Sequence, residues 1–303
     1  WRGPQELHLF KRLLALTGSG VGGGSLIYGG VLDEPPPAFF ERGAFAGLAD
    51  WRKELEPHFA EARRMLGAAR APFGDRFDHA FASAARATGG EHQAPEVGVT
   101  FGPTPNAELG DPHFGGSGPM RRACNFCGGC MIGCRHGAKN TLDLNYLHLA
   151  ERAGATVLSD SMVRSIAPLG GADGGEGYLV SVVRPGVIDC GKSRLTARRV
   201  IVAAGTIGTN RLLLRCRDVL RTLPRLSRAL GTRVTNNREE FLFVRAREAG
   251  STEGVAVGSL ARTGSTTILG ARTGPGGSLF LTFGAPFPAS DPYPGLLGGL
   301  FRS

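Results

Sequence analysis

The sequence predicts a mixed α/β fold followed by a region of antiparallel strands, on three observations. Residues 199–205, Arg-Val-Ile-Val-Ala-Ala-Gly, form a short apolar run that stops at glycine, and a helical pattern over 207–214 opens directly after it. That order of strand, glycine and helix is the one nucleotide-binding folds use. Residues 18–30 hold seven glycines in thirteen positions, a loop that backbone alone can fill. From Asn236 onward, short alternating segments at 240–246, 254–259, 266–269 and 278–283 read as antiparallel strands. The boundaries follow: a first domain over 1–235, with inserted helices and a cysteine-rich loop at 120–136, and the start of a second over 236–303.

Taken in order, the stretch 7–16 is amphipathic, and residues 11–17 read better as helix than as strand. Residues 51–66 carry a helical pattern interrupted by Pro57 and closed by Gly67, and 75–88 carry a second that stops at Gly89-Gly90. Residues 94–119, rich in Pro and Gly, read as a wrapped loop. A helix is expected over 141–153, with Leu142, Tyr146, Leu149, Ala150 and Ala153 on one face. A short strand is expected at 156–158, and a hairpin from 162–168 to 178–183 around the glycine-rich turn 170–177.

Composition excludes several classes. A 303-residue chain that is 42% hydrophobic can bury a sizeable core. No run of about 18 apolar residues occurs, so no spanning helix is expected. The net charge of +9 comes from basic residues scattered along the chain, with no run of five, and nucleic acid is not expected as a partner. A basic surface would equally suit an acidic membrane face or the diphosphate of a nucleotide cofactor.

The glycine loop is specific through the segments that accompany it. Gly-Ser-Gly-Val-Gly-Gly-Gly-Ser-Leu-Ile-Tyr-Gly-Gly at 18–30 resembles the second flavin-contacting loop of the glucose-methanol-choline (GMC) oxidoreductases, in their cholesterol-oxidase-like branch. The run from Val200 to Leu214 resembles that family's A-A-G-[ST]-x-x-[ST]-x-x-L-L signature, and Leu-Pro-Arg-Leu-Ser at 223–227 follows in place. The resemblance implies an FAD-binding, Rossmann-like domain with an antiparallel substrate domain. It places Gly23, Gly24 and Ser25 against the flavin diphosphate and ribityl chain, and Tyr28, Gly29 and Val31 beside the isoalloxazine ring. Val163 would meet the adenine, and Ala204 and Gly205 would pass beside the nucleotide. One departure stands out: that branch carries Asn where this chain has Tyr28.

The implied activity is oxidation of an alcohol, a sterol or 3-hydroxysteroid being the expected substrate, by hydride transfer to FAD. The electron acceptor would be oxygen or a protein redox partner. The family's proton-accepting His lies in an H-P-x-G-[GT] segment, and no such pattern occurs in these 303 residues. His136 is read as structural, and His8, His58, His79, His92, His113 and His148 as surface or helix residues. With no initiator Met at Trp1, the chain is expected to be an internal piece lacking the first βαβ unit and the catalytic His segment. It would then bind flavin weakly and not turn over.

Cys124, Cys127, Cys130 and Cys134 form C-x2-C-x2-C-x3-C, the run that holds a cubane iron–sulfur cluster in bacterial ferredoxins, although Arg135 follows where those proteins have proline. A 4Fe-4S cluster, a zinc or disulfide site, and unliganded thiols are the three readings open at this point. Cys190 and Cys216 read as isolated thiols. An iron–sulfur or metal-binding electron-transfer module, or a piece with no function, are the alternatives to the flavoenzyme. Four crowded thiols point to a reducing cytoplasm.

Overall fold

A computed structural model describes residues 5–10, 13–41, 46–186, 190–232, 234, 240–245, 253–263, 266–272 and 279–286. The chain divides into two compact units, residues 1–156 with 237–303, and residues 157–236.

The first unit opens with β1 (Gln5–Phe10) and β2 (Leu13–Gly18), followed by a single turn α1 (Pro37–Phe40), α2 (Trp51–Met65), β3 (Ala69–Arg70) and α3 (Arg76–Ala87). Four short strands come next, β4 (Glu91–Gln93), β5 (Glu96–Val97), β6 (Glu108–Gly110) and β7 (Arg121–Arg122), then α4 (Tyr146–Arg152). The second unit holds β8 (Met162–Leu169), β9 (Gly177–Arg184), β10 (Cys190–Ala197) and α5 (Gly205–Leu214). The chain re-enters the first unit for β11 (Glu240–Arg245), β12 (Val257–Thr263), β13 (Thr266–Arg272) and β14 (Leu279–Pro286).

The main sheet of the first unit has the order β11-β14-β13-β12-β4, and every pairing in it is antiparallel, as the alternation after Asn236 predicted. Its core is Val97, Val99, Cys124, Cys130, Ala138, Val255 and Ala256. Val31 and Met131 pack both there and against Val257 and Ala271. Helix α3 is joined to the sheet by a buried ion group. Asp75 caps the helix by accepting from Phe77 N at 3.0 Å and Asp78 N at 3.1 Å, while Asp78 accepts from Asp75 N at 3.1 Å. Fully buried Arg272 donates to both carboxylates and, at 2.7 Å, to Val255 O. Ser259 Oγ donates to Asp78 at 2.7 Å. Burial opposes ionisation of Asp78, but Arg272, Ser259 and the Asp75 N–H together outweigh it and hold the carboxyl below the usual range.

Several expected elements differ in the structure. Residues 5–10 and 13–18 pair as antiparallel strands where a helix was expected over 11–17: Leu7 and Leu9 recur at period two, Leu7 faces Leu16, and His8 Nε2 meets Thr17 Oγ1 at 2.9 Å across the strands. Pro57 removes one backbone hydrogen bond but leaves α2 unbroken from its cap at Asp50 to Met65. The helix expected over 141–153 is split into a 3-10 turn, Leu142–Leu144, and α4, because Asn145 between them sits at φ −134° and ψ −92°. Residues 156–158 are not a strand.

In the second unit the predicted hairpin is present, with Ile166 opposite Val180, and β10 extends it to a sheet of order β10-β9-β8. Ile166, Val180 and Val182 are buried, as is Cys216, whose sulfur accepts from Ile166 N at 3.4 Å. Residues 199–204 are not a strand, and Ile201 is 92% exposed. A parallel strand exists only through hydrogen bonds to neighbours, and among the described residues none pairs with this run. The following helix α5 does form, starting at Gly205 and continuing into a π turn, Arg215–Val219.

Candidate functional site

The glycine loop folds back on itself through positive φ angles at Gly20 (138°), Gly22 (104°) and Gly23 (55°), which side chains rarely adopt. Gly23 N donates to Gly20 O at 3.0 Å and Tyr28 N to Gly24 O at 3.0 Å, closing a 3-10 turn over Gly23–Leu26. A Cβ on Gly18 would lie 2.5 Å from Gly23 O, so the hairpin end and the turn are in backbone contact. At Gly23 and Gly24 a Cβ would meet nothing within 4 Å. This stretch of backbone faces open space.

The inner side of the loop is fastened by residues 139–143. Lys139, 1% exposed, donates from Nζ to Leu26 O at 2.9 Å, Tyr28 O at 3.3 Å and Cys130 O at 2.6 Å, and lies 5.1 Å from the Tyr28 ring centroid. Burial lowers its pKa to about 8, although the nearby thiols and Asp143 favour the cation. Tyr28 Oη donates to Asn140 O at 2.7 Å, and burial pushes the phenol up to about 12. Ser25 Oγ donates to Gly22 O at 2.6 Å and accepts from Leu142 N at 2.9 Å. Its hydroxyl is therefore occupied within the protein. Asp143 Oδ1 lies 3.1 Å from where a Gly22 Cβ would be, buried and without a hydrogen-bond partner.

Asn140 extends the support outward. It accepts from Arg121 Nε at 2.8 Å and donates to Leu66 O at 2.9 Å, and Arg121 also reaches Leu144 O at 2.6 Å. His113 meets Thr100 Oγ1 at 3.0 Å and Asn140 Nδ2 at 3.3 Å, and burial, with Arg121 nearby, lowers its pKa. His113 thus belongs to this buried network and not to a surface. On the loop's other side Gly98 N donates to Gly30 O at 2.7 Å, and a Cβ on Gly29 would strike Val257 Cγ2 at 2.7 Å.

The structure brings Gly23, Gly24, Ser25, Tyr28, Gly29 and Val31 together in one loop, with Val31 turned into the core. Val163, Ala204 and Gly205 belong to the other unit. There Val163 is paired with Val182 in β8, and Ala204 and Gly205 open α5, with Ala204 N donating to Thr209 Oγ1 at 3.1 Å. Lys139, Asn140 and Asp143 were missed in the sequence. Their signal was faint: a Lys-Asn-Thr run with no periodicity, directly after the cysteines.

Of the three readings of the cysteine run, the metal centre finds no support in the structure. Among the described residues no three Cys, His, Asp or Glu side chains gather as ligands, and all four thiols are free. The reason lies in the backbone: Phe126 (φ 58°), Gly128 (φ 67°) and Gly133 (φ 99°) turn the run around a 3-10 helix, Gly129–Ile132. This buries Cys124 and Cys130 in the apolar core beside Val97 and Val99, with Cys127 and Cys134 half-buried. Burial pushes the Cys124 thiol up to about 12 and the Cys130 thiol upward too. His136, as expected, is structural, meeting Asn125 Nδ2 at 3.2 Å.

The chain belongs to the GMC oxidoreductases, in their cholesterol-oxidase-like branch; the family's profile matches residues 120–217. The chain is 41% identical over 286 residues to the cholesterol oxidase of Mycobacterium tuberculosis (strain H37Rv), covering 90% of this chain and 49% of that protein. It is 39% identical over 269 residues to the cholesterol oxidase of Acinetobacter baumannii, covering 84% and 47%. The chain thus spans about half the length of the curated relatives it matches. No helix among the described residues is long and apolar enough to cross a membrane.

Proposed function

We propose that this chain supplies the flavin-binding part of an alcohol-oxidising flavoenzyme that acts on a sterol. The observation that carries the proposal is the orphaned Asp143 Oδ1 beside Gly22, next to the open backbone of Gly23 and Gly24. Such a cradle fits a cofactor that brings hydroxyl donors and needs close approach to the main chain, as the ribityl chain of FAD does. When bound, FAD accepts the hydride of the substrate carbinol carbon.

In this reading Gly23 and Gly24 admit the cofactor against the backbone, and Asp143 accepts a hydrogen bond from it. Lys139 holds the loop from beneath and places a positive charge under the Tyr28–Gly29 segment, where it favours negative charge arriving on a neighbouring group. Tyr28 is held by its bond to Asn140 O, which leaves its ring as a wall. For Val163, Ala204 and Gly205, in the other unit, the nucleotide-side role is proposed from the family resemblance alone. No histidine of this chain is assigned the proton-accepting role. The sterol is proposed from the likeness to cholesterol oxidases, with oxygen or a protein redox partner as the electron acceptor, and the cysteine run is assigned to packing.

The test is a preparation of the protein extended to the length of those relatives. Flavin bands near about 380 and 450 nm that a 3-hydroxysteroid bleaches anaerobically, and that oxygen restores, would support the reading. A folded, colourless protein that takes up no FAD would overturn it.

A further inference from the structure

Buried Asn140 ties the glycine loop to the first unit through its main chain while its side-chain amide is held in one orientation. Its backbone N–H donates to Gly98 O at 2.8 Å, its carbonyl accepts from Tyr28 Oη at 2.7 Å, and Gly98 N in turn donates to Gly30 O at 2.7 Å. The side-chain oxygen accepts from Arg121 Nε at 2.8 Å, so the amide nitrogen occupies the other branch. There Nδ2 donates to Leu66 O at 2.9 Å and faces His113 Nε2 at 3.3 Å. An amide nitrogen only donates, so His113 Nε2 is the unprotonated, accepting nitrogen of the ring. The rotatable hydroxyl of Thr100 lies 3.0 Å from the same nitrogen. A Cβ on Gly67 would overlap His113 Cε1 and Nδ1, so the ring is pressed against that backbone and has no room to swing towards it.

We propose that His113 is a positioning residue for the glycine loop: the neutral ring holds Asn140 in place, and a proton on Nε2 releases Asn140 and with it the Tyr28–Gly30 segment. The added proton sets one N–H against another. Turning the Asn140 amide would relieve that clash only by giving up the bonds to Arg121 Nε and Leu66 O, both in the protein interior. Burial and the Arg121 guanidinium oppose the imidazolium while Asp111 favours it, and the net effect lowers the pKa from the ordinary 6.5. The fastened loop has the lower pKa and the released loop the ordinary one. The fastening is therefore complete above pH 6.5 and is lost as pH falls through the folded value. That this matters for flavin rests on the function proposed above; the coupling of His113 to the loop does not.

The test is amide hydrogen exchange of the cofactor-free chain at pH 7.5, 6.5 and 5.5, read as protection factors so that the intrinsic pH dependence of exchange cancels. One proton taken up on release changes the opening equilibrium by at most about ten-fold per pH unit. Protection of residues 28–32 and 139–142 should thus be roughly five- to ten-fold lower at pH 5.5 than at pH 7.5, with residues 257–263 unchanged. His113→Gln, which offers Asn140 an acceptor and does not titrate, should give a flat profile, and His58→Gln on α2 the wild-type one. Long-range proton–nitrogen correlation of the wild type at pH 8 should show His113 with Nε2 unprotonated, a result that needs no variant to fold. A flat wild-type profile, a wild-type slope in His113→Gln, an equal loss over 257–263, or a proton on Nε2 at pH 8 would overturn the proposal. FAD is absent throughout, so a failure here leaves the flavin reading intact, and a failure to bind flavin leaves this result intact.

Discussion

Lys139 makes folding stability rise with pH in the alkaline range. Its amine is buried against three carbonyls, and its pKa falls from 10.5 to about 8. At about 1.4 kcal/mol per tenfold, this corresponds to about 3 kcal/mol between its charged and neutral forms. Because the folded pKa lies below the unfolded one, the cost of burying the charge is fully present below pH 8. Between pH 8 and 10.5 the folded protein sheds the proton while the unfolded chain keeps it, and stability rises. In Lys139→Met this rise is absent. Urea unfolding of both proteins at pH 7, 8, 9 and 10.5 isolates the effect, since other groups cancel in the difference. The stability of the wild type relative to the variant should grow by about 3 kcal/mol across that range. Parallel curves would refute the burial of this lysine under the glycine loop.

Other outcomes follow from the same contacts. Arg272→Met strands two buried carboxylates and should cost about 3–5 kcal/mol in chemical unfolding; an effect under about 1 kcal/mol would contradict the ion group. The Asp78 contribution slopes with pH in the same direction as that of Lys139 but in the acid range, present above the unfolded pKa and lost as pH falls through the depressed folded one, so Asp78→Asn should flatten the acid limb of the stability profile. Gly67→Ala places a methyl about 2.3 Å from the His113 ring at a positive φ and should lower Tm by several degrees, whereas Gly89→Ala meets no neighbour and bears only the backbone strain. Thiol titration with a disulfide reagent at pH 8 should label Cys127 and Cys134 before Cys124 and Cys130, and anaerobic preparations should contain neither iron nor acid-labile sulfide in stoichiometric amount.

Much of the fold was legible where local chemistry alone decides it. The Asp75 cap, the Gly170–Gly177 hairpin turn and the alternating strands after Asn236 are written in neighbouring residues. The errors fall where distant residues decide. Leu7, Leu9 and Leu16 satisfy a helical window as readily as a strand pair, and only the cross-strand register separates the two. The run at 199–204 has strand composition, yet a strand needs partners that composition does not supply. The cysteine spacing suggested ligands, but three positive-φ positions send two of the thiols into the core. The glycine loop could be read from its own residues, whereas Lys139, Asn140 and Asp143, more than a hundred positions away, are ordinary polar residues until the fold brings them beneath it.

The central claim is that the glycine loop faces the flavin at Gly23 and Gly24, and amide hydrogen exchange with and without saturating FAD tests it most directly. Slowed exchange centred on residues 20–31 and on 139–143, lost in Asp143→Ala while the variant keeps its wild-type melting behaviour, is the predicted result. Protection elsewhere in the chain with these amides unchanged would contradict the account.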